Sequence, residues 1–344
     1  MSPGLQVIAP GLHSTIQDLG RRGYHDIGVP LSGALDRIGL TLANALVGNA
    51  ANAPALEILV QGPLLEVLAE SVRVALIGAE GGLVIEGEPA RAVPAGESAR
   101  LERGQRIRIG ALGNTFCAYL AVEGGFDIAP CLGSAATYTR DRLGGFHGRA
   151  LQAGDILPVR RNEAEMRMEL ALARPYEVRL DQPIRLVLGP QQDYFTDRAV
   201  ETLLSADYAV SPQADRMGFR LDGPRLAHAK GYDIVSDGIV PGAVQVPGSG
   251  QPIVMLADAQ TTGGYAKIAT VISADVPVLA RCLPGASVRF EAVNQAEAEN
   301  IRREQESDLR DWISRLQMVP GVPAVDAAAL QASNLIDGVI NPLD

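Results

Sequence analysis

A regular series of short apolar runs between Ala55 and Phe126 constrains the fold more than any other feature of this sequence. Short apolar runs follow one another there, each closed by glycine or proline, at a spacing of about ten residues. The runs are LEILVQG, LLEVLAE, VRVALIG, GLVIEG, ARLERG, RIRIG and TFCAYLAV. Short strands at such a spacing are typical of β-barrels and sandwiches. Two of the runs, ARLERG and RIRIG, alternate apolar and polar residues, which predicts strands with one face in water.

A second β-rich block is predicted from Tyr176 to Val293. The chain has 344 residues, which suits two domains of about 150 residues each. We therefore predict a mainly β fold with a few helices. The expected divisions are an N-terminal β domain over residues 1–170, a C-terminal β domain over 171–293, and a helix with a tail over 294–344.

Three helices are predicted around these blocks. Ser32 is the expected N-cap of the first helix, whose apolar residues recur at helical spacing. The second helix is expected over residues 162–173 and would mark the boundary between the domains. The third, over about 295–317, has apolar residues on one face among many charges, and is expected to lie against solvent. The tail that follows it is weakly patterned.

The charge balance excludes a general nucleic-acid binder, because a net charge of −10 is the opposite of the basic field such proteins need. No apolar run approaches the ~20 residues that span a bilayer. The first residues lack the charged start and apolar core of a signal peptide. We therefore expect a cytoplasmic protein without membrane or nucleic-acid partners.

Several catalytic and cofactor motifs are missing from the sequence. It has no phosphate-binding loop, no G-x-G-x-x-G fingerprint, no G-x-S-x-G and no biotin-carrier lysine between methionines. Its four histidines are isolated, so no metal site is expected. We therefore expect the chain alone to bind no cofactor, and ATP or biotin to reach it through a partner.

The first segment with the residues for ligand binding is STIQDLGRRG. Gln17, Asp18 and Arg21 lie there among glycines, and Asp36 follows. An arginine beside an amide and a carboxylate can bind a small polar or carboxylated ligand, so these four residues are predicted to bind substrate. The alternative is a structural loop in which Asp18 caps backbone N–H groups and Arg21 pairs with it.

The second segment is LGGFHGRALQAGD. Its glycines permit close backbone approach, and Arg149 is the polar group predicted to bind substrate. The alternative is a series of turns in which Arg149 forms a salt bridge.

The third segment is the densest in polar groups, and it lies between apolar strands where a buried polar site would sit. Lys267 is one of only two lysines among 30 basic residues, so its position in this segment is unusual. Lys267, Asp258 and Gln245 are the predicted catalytic residues, with Asp258 expected to hold the lysine. The remaining predicted substrate-binding residues are Gln251, Thr262, Gly263, Gly264 and Tyr265.

One internal similarity links the two ends of the chain. Both GYHDIGVPLSGALDRIG, from Gly23, and GYAKIATVISADVPVLA, from Gly264, read G-Y-x-x-I and then place alanine and aspartate before an expected helix. The match is either chance or the trace of a duplicated unit with one such loop in each domain.

Taken together, these segments resemble the allophanate hydrolase subunit 2 / KipA family. The resemblance rests on HSTIQDLGRRGYHDIGVPLSGALDRIGLTLANALVGN, LEILVQGP, GSAATYTRDRLGGFHGRALQAGD, RMGFRLDGP and SDGIVPGAVQVPGSGQPIVMLADAQTTGGYAKIATVISADVPVLARCLPG. It implies two cyclophilin-like β-barrel domains and kinship with the carboxyltransferase region of urea carboxylase.

The resemblance implies three functions. The first is a component like the C subunit of an ATP-dependent 5-oxoprolinase, which opens 5-oxoproline to glutamate together with a KipI-like and a LamB/YcsF-like subunit. The second is the carboxyltransferase subunit of a biotin-dependent urea or amide carboxylase, which would receive carboxybiotin from a partner. The third is a KipA-type regulatory protein that binds a KipI-like partner without catalysis. In the first two the chain is expected to be inactive alone.

Overall fold

The structure is a computed structural model that describes residues 3–178 and 181–320. Strands dominate these ranges, and four α-helices lie among them: α1 Arg37–Leu46, α2 Asp197–Ser205, α3 Val276–Leu279 and α4 Gln295–Ser314. Short 3-10 helices occupy His25–Ile27 and Gln192–Tyr194.

The first β unit consists of two sheets. Its strands are β1 Gly4–Ala9, β2 His13–Gln17, β3 Ala55–Leu59, β4 Leu64–Val67, β5 Ser71–Ile77, β6 Leu83–Ile85, β7 Arg91–Val93, β8 Ser98–Glu102, β9 Arg106–Arg108, β10 Cys117–Val122 and β11 Ile156–Pro158. One sheet has the order β11-β1-β4-β9-β6-β7, and the other has the order β2-β3-β10-β5-β8. All of the pairings are antiparallel.

The three central strands of the five-stranded sheet, β3, β10 and β5, bury both of their faces. Because side chains alternate along a strand, Leu56 and Ile58 of β3 enter the core between the two sheets, whereas Ala55 and Leu59 enter a second core on the opposite face. This explains why these strands read as almost continuous apolar runs in the sequence.

The second β unit contains an eight-stranded sheet and a separate ribbon. The remaining strands are β12 Leu170–Ala171, β13 Ile184–Leu188, β14 Tyr208–Val210, β15 Gly218–Asp222, β16 Asp233–Gly238, β17 Ala243–Gln245, β18 Ile253–Met255, β19 Thr262–Tyr265, β20 Lys267–Val271, β21 Ser287–Val288, β22 Phe290–Ala292 and β23 Gln317–Met318. The large sheet has the order β21-β14-β15-β18-β17-β20-β13-β22, and β13 runs parallel to β22. Strands β16 and β19 pair with each other and form the ribbon. The predicted mainly β class with barrel-like units is confirmed.

The two units share one core. Leu42 and Leu46 of α1 and Tyr119 of β10 belong to the same buried cluster as Phe219 and Val244 of the second unit. The border between the units is therefore removed from water, and any polar group there needs a partner within the protein.

The first predicted helix exists, but its cap is different. Asp36 precedes α1, and its carboxylate accepts hydrogen bonds from the N–H groups of Ile38 and Gly39, both at 3.0 Å. The predicted cap, Ser32, lies four residues earlier with a left-handed φ of 51°. An aspartate cap satisfies the same free N–H groups as a serine, so the sequence pattern alone did not decide between them.

The helix predicted over residues 162–173 is wrong. The chain there is irregular and ends in the short strand β12. The buried guanidinium of Arg73 explains the difference: it donates to the carbonyl oxygens of Glu165 at 3.1 Å and Arg167 at 3.0 Å, and to the carboxylate of Glu169 at 2.8 Å. In a helix, those carbonyl groups would accept from backbone N–H groups of the helix itself.

The last predicted helix corresponds to α4, which begins at a capping box formed by Asn294 and Glu297. The tail that follows Pro320 lies outside the described residues. The domain boundaries after residues 170 and 293 stay a prediction. None of the helices within the described ranges is both long and apolar enough to cross a bilayer.

Both copies of the internal similarity lead to a helix whose preceding aspartate binds an arginine. Asp36 precedes α1 and accepts from Arg281 at 2.9 Å. Asp275 precedes α3 and accepts from Arg185 at 2.7 and 2.9 Å. This common local arrangement favours the duplicated-unit interpretation over chance.

Candidate functional site: two polar clusters in and beside the second β unit

Arg216 joins the two β units by binding one carboxylate from each. Its guanidinium donates to Asp258 of the second unit at 2.8 and 3.1 Å, and to Glu57 on β3 of the first unit. A further hydrogen bond reaches the Gly33 carbonyl at 2.7 Å. Burial on its own would lower the pKa of Arg216, but the charges of Asp258 and Glu57 outweigh it and raise that pKa. We call Arg216, Asp258 and Glu57 the Arg216 cluster.

A chain of buried hydrogen bonds leads from this cluster to Asp36. The Tyr119 hydroxyl donates to Glu57 at 2.7 Å and accepts from the N–H of Asp36 at 2.7 Å. The Asp36 carboxylate accepts from Arg281 at 2.9 Å and from the Tyr176 hydroxyl at 3.0 and 3.1 Å. Burial raises the pKa of both tyrosines well above the ordinary value, so they remain protonated donors. Asp36, a predicted substrate-binding residue, thus has protein partners for both carboxylate oxygens.

Asp18 acts on the backbone of its own loop and of the segment that follows residue 133. Its carboxylate accepts from the N–H of Gly20 at 2.8 Å, the hydroxyl of Ser134 at 2.6 Å and the N–H of Ala135 at 2.7 Å. This is the structural alternative considered for Asp18. The carboxylate brings the loop after β2 against the segment 134–137.

Gln17 and Arg21 bind consecutive carbonyl groups of that same segment. Gln17 Nε2 donates to Thr137 at 3.1 Å, and Arg21 Nη2 donates to Ala136. Gln17 Oε1 and Arg21 Nη1 are buried and have no hydrogen-bond partner within the described residues. Burial lowers the pKa of Arg21. Buried polar atoms without partners indicate a place where a ligand or an ordered water binds.

His13 faces the Arg216 cluster from β2. Burial lowers the pKa of His13, and the positive charge of Arg216 acts in the same direction, while Glu57 and Asp258 act against both. Its Nδ1 atom is buried and has no partner within the described ranges. The sequence showed only an isolated histidine here, and its spacing gave no reason to select it.

Lys267 is held by the ribbon. Its side chain is 4% exposed, and Nζ donates to the Asp237 carboxylate at 2.6 Å and to the Gly238 carbonyl at 3.0 Å. The lysine hydrogen bond and the N–H of Gly238 lower the pKa of Asp237, which therefore stays ionised. Asp258, which we expected to hold this lysine, pairs with Arg216 instead.

Gln245 lies directly beside Lys267, because the two residues are partners in the β17–β20 pairing. Gln245 Nε2 is buried without a partner within the described residues. A methyl group at Gly263 of the ribbon would lie 2.7 Å from that nitrogen, so only glycine fits there without a shift. Gln191 completes the group: it accepts from the Lys267 N–H at 3.1 Å and donates to Asp237 at 3.3 Å. We call Lys267, Asp237, Gln245 and Gln191 the Lys267 cluster.

The other predicted residues of the third segment lie on the ribbon or near it. Thr262 is exposed and opposite Gly238, and Gly264 follows within β19. Tyr265 is 41% exposed, and its ring centroid lies 6.5 Å from that of Tyr232. These ribbon residues therefore flank the Lys267 cluster on its exposed side.

Gln251 and Arg149 are engaged elsewhere. Gln251 donates to the Gly223 carbonyl at 3.2 Å. Arg149 binds both oxygens of Asp155, at 2.7 and 2.8 Å, which is the salt bridge considered as its alternative role. This pair lowers the pKa of Asp155.

The predicted site residues thus fall into several groups. Lys267, Gln245 and Gly263 lie together, whereas Asp258 lies in the Arg216 cluster. Sequence reasoning missed the residues that complete each group, which are Asp237, Gln191, Glu57, Arg216 and His13. All of them except Gln191 stand in motifs that carry the family resemblance, and this was the only signal that could have found them.

A cleft lies on the far side of the residues that bind Asp36. It measures about 850 Å³, and Arg281, Tyr176, Asn114 and Thr115 contribute to its wall. None of the predicted site residues lines it, and Arg281 is already neutralised by Asp36. No three His, Cys, Asp or Glu side chains within residues 3–178 and 181–320 are grouped to hold a metal ion.

Comparison with known proteins gives one family and a consistent set of relatives. The family model "Carboxyltransferase domain, subdomain A and B" matches residues 27–292. The C subunit of the Escherichia coli 5-oxoprolinase is 37% identical over 302 residues, covering 88% of this chain and 95% of that protein. The C subunit of the Haemophilus influenzae 5-oxoprolinase is 37% identical over 308 residues, with the same coverage of 88% and 95%.

A solved structure shows the same fold. The crystal structure of the K. lactis urea amidolyase matches with a TM-score of 0.80 and 27% identity, over 91% of this chain and 20% of that one. This chain therefore spans one fifth of that enzyme. These matches confirm the resemblance drawn from the motifs: the chain belongs to the family of the carboxyltransferase domain, subdomain A and B.

Proposed function

We propose that this chain is the counterpart of the C subunit in an ATP-dependent 5-oxoprolinase, which opens 5-oxoproline to glutamate. The observation that carries the proposal is the 37% identity to the C subunits of two 5-oxoprolinases, over 95% of their length. A match over nearly the whole relative supports a shared role better than a match to one part of a larger enzyme.

The Lys267 cluster supports this chemistry. When a lactam carbonyl is attacked, negative charge develops on its oxygen, and donors fixed in place beforehand stabilise that charge. We propose that Lys267 Nζ and Gln245 Nε2 are those donors. Both are buried, and Gln245 Nε2 has no competing partner within the described residues.

The remaining predicted residues are proposed to bind or orient the substrate. In the Arg216 cluster, Asp258 acts electrostatically on Arg21 and His13. We propose that Asp258 orients the side chains of Arg21 and His13 for catalysis. We also propose that Arg21 and Gln17 contact the substrate. Other substrate-binding residues remain proposals: Asp18, Asp36, Arg149, Gln251, Thr262, Gly263, Gly264 and Tyr265.

Partners belong to the same proposal. The sequence lacks a phosphate-binding loop, so ATP would be handled by a KipI-like and a LamB/YcsF-like subunit. The chain would then bind no cofactor alone and be inactive alone. A cytoplasmic location stays a prediction.

Reconstitution tests the proposal. The purified chain should neither hydrolyse ATP nor form glutamate from 5-oxoproline, and both activities should appear together when the KipI-like and LamB/YcsF-like proteins are added. Omitting each protein in turn is the control. Full turnover by the isolated chain, or none by the complete mixture, would contradict the proposal.

A carboxyltransferase role is the second candidate, and the TM-score of 0.80 to the urea amidolyase structure favours it. In this case the chain would transfer CO2 from carboxybiotin, supplied by a partner, to urea or a related amide. Biotin-dependent incorporation of labelled bicarbonate into an amide, without glutamate formation, would select this role. If the mixture is active and Lys267 can be replaced without effect, a KipA-type regulatory role becomes the better explanation.

A further inference from the structure

The ribbon meets the eight-stranded sheet at an ion pair whose cation is buried. Asp237 on β16 contributes the carboxylate, and Lys267 on β20 contributes the ammonium at 2.6 Å. The exposures of the two partners are very unequal, because the Asp237 side chain is 54% exposed and that of Lys267 is 4% exposed. The carboxylate therefore reaches from the surface to a cation that has almost no access to water.

The groups beneath the ribbon include a donor that has no acceptor. Gln245 Nε2 is buried and has no partner within the described residues, although it lies next to Lys267 in the sheet. A buried donor without a partner destabilises the protein, because it has lost its hydrogen bonds to water and gained none in return. An acceptor that reached Lys267 and Gln245 together would remove this cost.

We propose that Asp237 is a positioning residue: it pairs with the Lys267 ammonium in the resting protein and yields it to an oxygen of the substrate. The inference rests on the proposed function, which places substrate at Lys267. The ligand class is a small molecule with a carboxylate, or with an amide oxygen that gains charge during the reaction.

The exchange is favourable for each group involved. A bare buried ammonium would be costly, but Lys267 keeps the Gly238 carbonyl and exchanges one oxygen acceptor for another. Asp237 returns to water from a position that is already half exposed. Gln245 Nε2 gains the acceptor that it lacks. The substrate therefore replaces a resident carboxylate and does not have to fill a site with an unpaired charge.

The variant Asp237→Asn in the assembled three-subunit enzyme tests the exchange. Asparagine has the same shape but competes weakly for an ammonium, so the KM for 5-oxoproline should fall about 5-fold while kcat changes less. A KM that rises or stays unchanged would overturn the proposal, since a merely structural Asp237 would loosen the ribbon and weaken binding.

Asp193→Asn is the matched control. Asp193 binds Lys230, the other lysine of the chain, in an exposed pair at 2.5 Å. Its replacement removes the same charge from the surface and should leave the KM unchanged.

Chemical labelling gives a readout that does not depend on turnover. Because the chain has only two lysines, the acetylation rate of Lys267 can be followed separately from that of Lys230 by mass spectrometry in the assembled complex. Asp237→Asn should accelerate acetylation of Lys267 several-fold, and 5-oxoproline should protect it. Asp193→Asn should leave the acetylation rate of Lys267 at the wild-type value.

Turnover and acetylation distinguish a failure of the exchange from a failure of the proposed function. Unchanged acetylation of Lys267 in Asp237→Asn would overturn the exchange even if the enzyme turns over 5-oxoproline. Faster acetylation without any turnover of 5-oxoproline would support the resting pair and reject the proposed substrate. Protection by 2-pyrrolidinone, which lacks the carboxylate of 5-oxoproline, would support the exchange and identify the lactam oxygen as the group that replaces Asp237.

Discussion

Arg281 of the second β unit donates to Asp36 of the first at 2.9 Å, and both side chains are buried. Asp36 is at the same time the N-cap of α1, so one carboxylate fixes the start of a helix and the contact between the units. Tyr176 adds its hydroxyl to the same carboxylate. The relative placement of the units thus depends on a few buried polar groups as well as on the shared apolar core.

Arg281→Met should lower the free energy of unfolding by about 3–5 kcal/mol, because it leaves the Asp36 carboxylate buried without its cation. The double variant Asp36→Asn, Arg281→Met should recover part of this loss, since asparagine is neutral and still caps a helix. Urea unfolding of the four proteins of this cycle measures both effects.

Arg289→Met is the control for that experiment. Arg289 is exposed and lies 3.8 Å from Asp207, so its loss should cost no more than about 1 kcal/mol. A cost for Arg281→Met as small as this would show that the Asp36 contact contributes little to stability.

The sequence predicts the strands well because each strand leaves a local signal. Apolar runs closed by glycine or proline mark β3, β5 and β10, and the alternation in ARLERG marks β8. The helix expected over 162–173 failed for a non-local reason. Its carbonyl groups bind Arg73, which lies more than 90 positions earlier in the chain.

The residues of the candidate sites also differ in whether a local sequence signal or a non-local contact determines their position. Gln245 and Lys267 could be placed together because they lie on strands within one polar segment. The pairing of Arg216 with Glu57 joins residues 159 positions apart. The periodicity of apolar residues indicates local secondary structure and cannot predict such a contact. Asp237 was missed because its role depends on how the ribbon folds back over β20, which local pattern does not encode.

Lys267→Arg should reduce turnover of the reconstituted enzyme nearly as much as Lys267→Ala. A planar guanidinium cannot replace a compact ammonium between Asp237, Gly238 and the proposed substrate oxygen. Loss of one fixed donor of this kind typically slows catalysis about 10²- to 10³-fold. Steady-state kinetics measures the effect.

Lys230→Arg supplies the comparison for the Lys267 variants. Its ammonium is exposed and bound to Asp193, so turnover should stay at the wild-type level. Turnover of Lys267→Arg within a few-fold of wild type would mean that Lys267 anchors the ribbon without a catalytic role, and would favour the KipA-type regulatory function.

Gly263→Ala should disturb the ribbon without touching a charged group. The added methyl group would lie 2.5 Å from Ile239 Cδ1 and 2.7 Å from Gln245 Nε2, so the ribbon or the amide must shift. We expect turnover to fall while the free energy of unfolding drops by about 1–3 kcal/mol. Gly110→Ala is the control, since a methyl group there meets no atom within 4 Å. Wild-type kinetics for Gly263→Ala would show that the ribbon tolerates displacement.

His13 should make the stability of the protein depend on pH below its ordinary pKa of 6.5. Burial, aided by the charge of Arg216, lowers the pKa of His13 in the folded state. Between the lowered value and 6.5 the unfolded chain binds more protons than the folded chain, so the free energy of unfolding rises with pH in that window and is lost as the pH falls.

His13→Gln removes the titrating group and should flatten the dependence of the free energy of unfolding on pH in that window, as measured by urea unfolding between about pH 5 and 8. His25→Gln, at an exposed position, should leave the slope as it is. An unchanged slope in His13→Gln would mean that His13 titrates alike in the folded and unfolded chains, and that the Arg216 cluster does not act on it.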